Sequence, residues 1–351
     1  MTKQTPLITR LLSLLLLLFT IIITAEGTSY GTYDNRMKLF VFGDSYVDTG
    51  NYFTSPSYKL PYGITFPGKP SGRFSDGRVL TDYVASFLNI KSPRPYSLKK
   101  SSELQYGMNF AYGGTGVFHT LIDGPNMTVQ IDTFEKLIQQ NVYTKPDLQS
   151  SISLVSAAGN DYLKFFVKNG RSTKGVSKFT ASLVKQLSLN LKRIQSLGIN
   201  KIAIVLLEPI GCLPIATENT SYEKCNGTLN TVAMNHNHLL LQAVEELNKE
   251  IGKSVFVTLD LFNSFLSTIA SMQRNHEANS TLMNPLQPCC VGVSSSYYCG
   301  SVDEKGAKKY SVCDKPGLSF YWNNFHPSQN GWHAVYKRVQ SSLRKIEDKN
   351  L

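Results

Sequence analysis

A serine and a histidine, far apart in the sequence, have the settings that nucleophilic catalysis requires. Ser45 ends the motif Gly-Asp-Ser directly after the largely apolar run 38–42, and His326 stands in Asn-Asn-Phe-His-Pro near the other end of the chain. A serine at the point where a buried strand ends is exposed on a rigid edge, and a distant histidine can serve as its base. The pair predicts acyl transfer through a covalent intermediate on Ser45.

Acyl transfer also needs donors for the negative charge that forms on the carbonyl oxygen. The run 109–116, Asn-Phe-Ala-Tyr-Gly-Gly-Thr-Gly, supplies a turn whose bare backbone can approach a ligand closely. Asn160, in Gly-Asn-Asp, offers a side-chain amide. These groups and the N–H of Ser45 predict an oxyanion hole, in which losing one donor typically costs about a hundredfold to a thousandfold in rate.

Each of these residues also has an ordinary structural interpretation. The glycine run is consistent with a plain turn, the Gly-Asn-Asp motif with a capped helix start, and His326 before proline with a closed loop. Taken one at a time, the structural interpretation is preferred for each. Only their combination indicates catalysis.

The elements that must position these residues alternate along the chain. Short apolar segments at 39–42, 152–156, 202–207 and 255–259 predict buried strands, and apolar periodicity at 79–88, 179–197 and 232–251 predicts helices. The alternation predicts an α/β fold, a three-layer α/β/α sandwich with a mainly parallel central sheet. Ser45, residues 159–161 and residues 208–211 then lie at the carboxyl ends of strands, where ligands bind in such folds.

The amino terminus predicts export. Lys3 and Arg10 precede an apolar stretch at 11–24 and the small residues Ala25 and Gly27, which is typical of a secretory signal peptide over 1–27, leaving 28–351 as a single domain. The stretch is shorter than the about 18 to 20 residues that cross a bilayer, so an uncleaved anchor is the less favoured alternative. We expect a secreted, extracellular protein without stable membrane insertion.

Composition excludes some classes of function. The net charge is +11, but the lysines and arginines are scattered and form no dense basic helix, so no nucleic acid partner is expected. The six cysteines, at 212, 225, 289, 290, 299 and 313, suggest disulfides, with 15 connectivities open and the 212–225 loop the easiest to close. No histidine lies at finger-like spacing from them, so we expect no metal and no other cofactor.

Four sites match the acceptor pattern for asparagine-linked glycans. They are Asn126, Asn219, Asn226 and Asn279. Together with the signal peptide they predict a glycoprotein in which these residues lie on surface loops.

Several blocks together resemble the plant GDSL esterase/lipase family of the SGNH hydrolase superfamily. The resemblance covers nearly the whole chain after the signal peptide. It is carried by Phe-Val-Phe-Gly-Asp-Ser at 40–45, Asp-Thr-Gly-Asn at 48–51, and the blocks 72–78, 109–114, 159–161, 209–214, 289–290 and 322–328.

The resemblance implies a fold and a set of roles. The sandwich would be of the SGNH-hydrolase (flavodoxin-like) type, and the protein a carboxylic ester hydrolase of the cell wall or apoplast. Ser45 would be the nucleophile and His326 the base, with Gly114 and Asn160 completing the oxyanion hole. Gly113 is the less favoured alternative to Gly114.

The chain departs from the family pattern at two positions. Tyr46 replaces the leucine of the name-giving motif, and Asn323 replaces the aspartate three residues before His326. An aspartate there fixes the histidine tautomer and stabilises the imidazolium that forms during catalysis. Asparagine can do the first through its carbonyl oxygen but has no charge for the second. With its amide nitrogen turned inward, it would select the wrong tautomer.

Two functions of different classes follow from these residues. The first is a secreted serine hydrolase, a monomer, that cleaves small-molecule or lipid esters through an acyl-enzyme on Ser45. The alternative is a catalytically impaired homologue that binds an ester or a glycan, because Asn323 lacks the charge. Acyl transfer to an alcohol other than water uses the same intermediate and stays open.

Overall fold

The computed structural model describes residues 37–99, 101–279 and 283–347. The predicted signal peptide, 1–27, lies outside the described residues. The rest of this section concerns the part of the chain that the structure describes.

The short apolar segments form a parallel sheet. Its six strands are β1 Leu39–Gly43, β2 Arg94–Pro95, β3 Gly107–Asn109, β4 Ile152–Ser156, β5 Ile202–Val205 and β6 Phe256–Leu259. They lie in the order β2-β3-β1-β4-β5-β6, and every neighbouring pair is parallel. Every residue of β1 and β4 is buried, as expected for strands covered on both faces.

Helices cover both faces of this sheet. The helices are α1 Leu80–Phe87, α2 Met127–Gln139, α3 Lys145–Gln149, α4 Gly159–Lys168, α5 Val176–Ser196, α6 Pro214–Thr217, α7 Gly227–Ile251, α8 Leu261–Ala278 and α9 Gln329–Glu347. On one face α2 packs against α5 and α5 against α7. On the other face α1 packs against α9 and α9 against α8, and both α7 and α9 contact β6. The predicted three-layer α/β/α sandwich is confirmed.

Capping groups set the ends of α7, which begins before the predicted range 232–251 and ends at its last residue. The side chain of Asn226 accepts a hydrogen bond from the N–H of Leu229 at 3.1 Å, and Gly252 ends the helix in the left-handed region. The helix therefore starts five residues earlier than predicted, because its first turn is polar and is stabilised by the cap.

The strand order places the loop after β1 at the centre of the molecule. From β1 the chain proceeds to β2 and β3 on one side, then crosses to β4 on the other side. Such a reversal opens a crevice at the carboxyl ends of the strands. Ser45 follows β1 there, flanked by the glycine-rich turn after β3 and by Asn160 after β4.

A disulfide-linked region lies beside the sheet. Strands β7 Cys290–Gly292 and β8 Tyr310–Val312 form an antiparallel pair separate from the six-stranded sheet. The disulfides are Cys212–Cys225, Cys289–Cys313 and Cys290–Cys299, which include the predicted local pair. The last two hold a small core with Trp322 and Tyr62, close to the predicted base.

Candidate active site

The turn that carries Ser45 depends on a glycine and a glutamine. A Cβ on Gly43 would lie 1.8 Å from the carbonyl oxygen of Ser156, so only glycine lets β1 end this close to β4. From α2, Gln130 accepts the N–H of Gly43 at 2.8 Å and donates to its carbonyl at 2.9 Å. Both hydrogen-bonding groups of Gly43 are thereby fixed, and with them the start of the Ser45 turn.

Ser45 and His326 are brought together across 281 positions of sequence. The hydroxyl oxygen of Ser45 lies 2.7 Å from Nε2 of His326, a hydrogen bond that requires this nitrogen to be unprotonated if the serine donates. Ser45 is buried, so the exposure expected for it from the sequence is wrong. The hydrogen bond has the geometry that a nucleophile and its general base would need.

The loop that carries His326 is held by the block at 72–78. The hydroxyl of Ser75 donates to the carbonyl of Pro327 at 3.1 Å, and the carboxylate of Asp76 accepts the N–H of Gln329 at 2.7 Å. The block therefore holds the backbone in place on both sides of residue 328, just after His326.

Asn323 presents its carbonyl oxygen to the histidine. Oδ1 lies 2.9 Å from Nδ1 of His326, and it also accepts the backbone N–H groups of Phe325 at 3.0 Å and of His326 at 2.9 Å. Two backbone donors identify this atom as oxygen, since an NH₂ group there would face two N–H groups. The histidine must then carry its proton on Nδ1, which leaves Nε2 free to accept from Ser45.

The other end of the Asn323 amide is also fixed. Nδ2 donates to the hydroxyl of Tyr62 at 2.9 Å, and Tyr62 is buried against Trp322 with ring centroids 6.2 Å apart. The motifs do not point to Tyr62, since it lies 261 positions before Asn323 in a loop with no recognisable pattern. Every polar group of the Asn323 amide thus has a partner.

The imidazole of His326, a half-buried residue, packs against aromatic rings. Phe74 lies 5.1 Å and Tyr46 5.9 Å from its ring centroid. Burial lowers the pKa of His326 to about 3, and within the described ranges no carboxylate raises it. The imidazole is therefore neutral at ordinary pH, and its protonated form has no anionic partner among the described residues.

The glycine-rich turn and Asn160 meet on the other side of Ser45. Nδ2 of Asn160 donates one hydrogen to the carbonyl of Thr115 at 3.0 Å, which leaves its second hydrogen for a ligand. The N–H of Gly113 is occupied by the carboxylate of Asp48 at 2.9 Å. Gly114, in the left-handed region at φ +82°, donates to no acceptor among the described residues.

Two buried carboxylates fix the loops that carry these donors. Asp161, next to Asn160, accepts the N–H groups of Val117 at 3.0 Å and Phe118 at 2.9 Å. Asp48 accepts those of Gly50 and Asn51, each at 2.7 Å, besides that of Gly113. Burial raises the pKa of each of these carboxyls to about 6.

Other sequence features lie apart from this centre. Asn219, Asn226 and Asn279 are exposed, and Asn126 is half-buried at the start of α2. In the described ranges no group of three or more His, Cys, Asp or Glu side chains is arranged to hold a metal ion.

Comparison with known proteins identifies the family. The family model for GDSL-like lipase/acylhydrolase matches residues 39–339. Two Arabidopsis thaliana proteins, each named a GDSL esterase/lipase, are 52% and 47% identical to this chain; the alignments cover 87% and 96% of it, and 86% and 98% of the relatives. Acetylajmalan esterase 2 of Rauvolfia serpentina is 27% identical over 88% of this chain and 91% of its own.

The chain belongs to the GDSL lipase/acylhydrolase family. The resemblance stated from the sequence motifs is confirmed, and so is the class of enzyme that it implies, a carboxylic ester hydrolase.

Proposed function

We propose that this protein is a secreted serine hydrolase that cleaves carboxylic esters of acyl or lipid type through an acyl-enzyme on Ser45. The observation that carries the proposal is the unbroken hydrogen-bond chain from Ser45 through His326 to Asn323, at 2.7 and 2.9 Å. The chain has the polarity that proton transfer to Nε2 requires.

In the first half of the reaction, the oxygen of Ser45 attacks the ester carbonyl carbon while its proton moves to Nε2 of His326. The negative charge on the former carbonyl oxygen is stabilised by the N–H groups of Ser45 and Gly114 and by Nδ2 of Asn160. The intermediate collapses when Nε2 returns the proton to the leaving alcohol. The acyl group is then bonded to Ser45.

In the second half, water replaces the alcohol. His326 takes a proton from the water as its oxygen attacks the acyl carbon, and the same oxyanion donors act again. Proton return to the oxygen of Ser45 releases the carboxylic acid and restores the free enzyme. Asn323 keeps the imidazole in one tautomer throughout, but it contributes no charge to the imidazolium.

The surroundings of the site support an apolar acyl group. Ile122 lies against Gly114, because a Cβ built on that glycine would come within 2.5 Å of its side chain. Phe74 covers the face of the His326 ring, and Tyr52 and Tyr112 stack with ring centroids 4.8 Å apart. Apolar walls with a few convergent polar donors suit an ester better than a charged substrate.

The cysteines and asparagines support export as a glycoprotein. All six cysteines are paired in disulfides, as is usual outside the reducing cytosol. Asn126 and Asn226 cap helices through Oδ1, which leaves Nδ2 of each for a glycan. Among the described residues no helix is long and apolar enough to cross a membrane.

A second function, ligand binding by a catalytically impaired homologue, is favoured by Asn323 alone. The wrong histidine tautomer is the defect that would impair catalysis most. The oxygen of Asn323 faces Nδ1 of His326, which supports the tautomer that catalysis requires. The remaining deficit is the missing charge. Catalysis is therefore the better interpretation.

The proposal is tested with protein secreted from a eukaryotic host and a series of p-nitrophenyl esters of increasing acyl length. We expect hydrolysis by the natural chain and by Ser182→Ala, a surface serine on α5, and none above background by Ser45→Ala. Equal rates in Ser45→Ala and the natural chain would overturn the proposal. Added methanol, with analysis for the methyl ester, separates hydrolysis from acyl transfer.

A further inference from the structure

The ring of Phe74 lies between the base and the glycine-rich turn. Its centroid is 5.1 Å from that of the His326 ring, and the two ring planes are tilted by 31°. The same ring covers Gly113, because a Cβ built on that glycine would lie 2.3 Å from Cε2 and 2.4 Å from Cζ of Phe74. Phe74 therefore fills the space between the proton acceptor of the proposed reaction and the turn that carries the Gly114 donor.

Polar contacts fix the chain on both sides of Phe74. Before it, Arg73 donates from Nε and Nη2 to the two carboxylate oxygens of Asp82, each at 2.8 Å. After it, the carbonyl of Ser75 accepts the N–H of Gly63 at 3.0 Å. None of these bonds involves the Phe74 side chain, so a smaller side chain at this position should open space beside His326 without displacing the loop.

A different apolar side chain borders the next glycine of the turn. A Cβ built on Gly114 would lie 2.5 Å from Cγ1 and 3.1 Å from Cβ of Ile122, which is half-buried. The hydroxyl of Thr120 donates to the carbonyl of Gly114 at 2.6 Å and so holds the Ile122 segment against the turn. Two successive glycines thus have different apolar neighbours: Phe74, which also packs against the base, and Ile122, which packs against the oxyanion donor.

The chemistry of the proposed reaction gives the two halves of the ester different directions. In the tetrahedral intermediate the reacting carbon carries the Ser45 oxygen, the oxyanion, the acyl chain and the alcohol oxygen. The alcohol oxygen must reach Nε2 of His326 to receive its proton, so the alcohol portion begins beside the imidazole. The oxyanion points to the N–H donors, and the acyl chain takes the remaining direction. Because Phe74 covers the imidazole, it is the side chain that the alcohol portion meets.

We propose that Phe74 is a specificity-determining residue for the alcohol portion of the ester, while Ile122 borders the acyl portion. This role rests on the proposed serine hydrolase mechanism and deepens it. The Phe74 ring leaves little room beside the base, so the natural chain prefers esters of primary alcohols to those of non-planar alcohols that are branched at the carbon bearing the oxygen. A planar p-nitrophenyl group lies along the face of the ring and is accepted.

The test compares kcat/KM for ethyl acetate and cyclohexyl acetate in the natural chain, Phe74→Ala and Ile122→Ala. The acyl group is the same in both esters, and their intrinsic reactivities cancel when the ratio is compared between variants. In Phe74→Ala we expect the ratio to shift towards cyclohexyl acetate by about tenfold or more, a change typical of added space in an apolar pocket. The order of rates along a p-nitrophenyl ester series of increasing acyl length should stay as in the natural chain.

Ile122→Ala is the matched variant and should do the reverse: the acyl-length profile shifts, while the alcohol ratio stays within about twofold of the natural one. Phe74→Leu should show a smaller shift in the same direction as Phe74→Ala, and it replaces that variant if the alanine chain does not fold. Ser45-dependent cleavage with an unchanged alcohol ratio in the Phe74 variants would overturn the role of Phe74 alone. A natural chain that cleaves none of these esters would overturn the proposed function itself.

Discussion

The oxygen of the Asn323 side chain lies 2.9 Å from Nδ1 of His326, where an aspartate oxygen would lie in the family pattern. Two backbone N–H groups and the hydroxyl of Tyr62 hold the amide in this orientation. The large loss known for an aspartate-to-asparagine change in a serine protease comes from the wrong tautomer, and this site avoids that loss. What it lacks is only the charge that stabilises the imidazolium.

The first prediction is that Asn323→Asp increases turnover. The added carboxylate stabilises the imidazolium, so kcat should rise by about tenfold to a hundredfold, well below the ten-thousandfold effect of a tautomer change. Kinetics of ester hydrolysis at pH 7 to 8 measure it. Asn324→Asp adds the same charge one residue away and should change kcat by less than about threefold. An unchanged or lower kcat in Asn323→Asp would show that the charge is dispensable here.

The second prediction concerns acid pH. A base must be neutral to act, and because burial lowers the pKa of His326 to about 3, kcat/KM should stay nearly constant from pH 6.5 down to about 4.5. A histidine with an unperturbed pKa of about 6.5 would instead lose about fiftyfold over that range. In Asn323→Asp the carboxylate raises the pKa of His326, so the acid limb should move to higher pH.

The low pKa of His326 also makes the folded state less stable at acid pH. The unfolded chain binds a proton at this histidine near pH 6.5 and the folded chain does not, so its contribution to stability is lost as the pH falls from 6.5 towards 3. Circular dichroism at each pH therefore accompanies the kinetic measurement. A fall of activity below pH 6 while the fold is intact would contradict the prediction.

The third prediction is that Asn160→Ala lowers kcat by about a hundredfold to a thousandfold with little change in KM, because it removes one oxyanion donor. Asn169→Ala, at the other end of the same helix, removes an exposed amide that bonds only to the carbonyl of Phe165 and is the matched control. A loss of less than about fivefold in Asn160→Ala would mean that this amide does not stabilise the oxyanion.

The fourth prediction concerns Gln130, which no sequence motif indicates. Gln130→Ala leaves the N–H of Gly43 without its acceptor, while the Gly43 carbonyl keeps the N–H of Tyr112 at 3.0 Å, so we expect a loss of about 1 to 3 kcal/mol in the free energy of unfolding. Because the Ser45 turn begins there, kcat should fall as well. Gln139→Ala, exposed on the same helix, should change stability by less than about 0.5 kcal/mol. Equal denaturation midpoints for the two variants would contradict this role.

Much of the fold could be predicted because its central strands are buried. The segments at 39–42, 152–156 and 202–207 each contain an observed strand that is buried throughout, since burial on both faces requires continuous apolar residues. The segment at 255–259 contains β6, which lies at one edge of the sheet and has two half-buried residues among its four. The opposite edge of the sheet could not be predicted. Strand β2 is Arg94–Pro95 and β3 has only three residues, so neither is long enough to show an alternating apolar pattern. They are defined by their pairing, β3 with β1 and β2 with β3.

The site was predictable only where it depends on local motifs. Ser45, Asn160 and His326 each follow a short recognisable pattern, and the strand order brings them together. Tyr62 and Gln130 act through contacts across long stretches of sequence, which no local pattern records.

The nucleophilic role of Ser45 is tested by reaction with a fluorophosphonate probe, followed by peptide mass mapping and measurement of the inactivation rate. We expect one adduct per chain, located on Ser45. In His326→Ala the rate should be at least about a thousandfold lower, since the serine then has no base. An adduct on another residue, no adduct, or equal rates in the two proteins would contradict it.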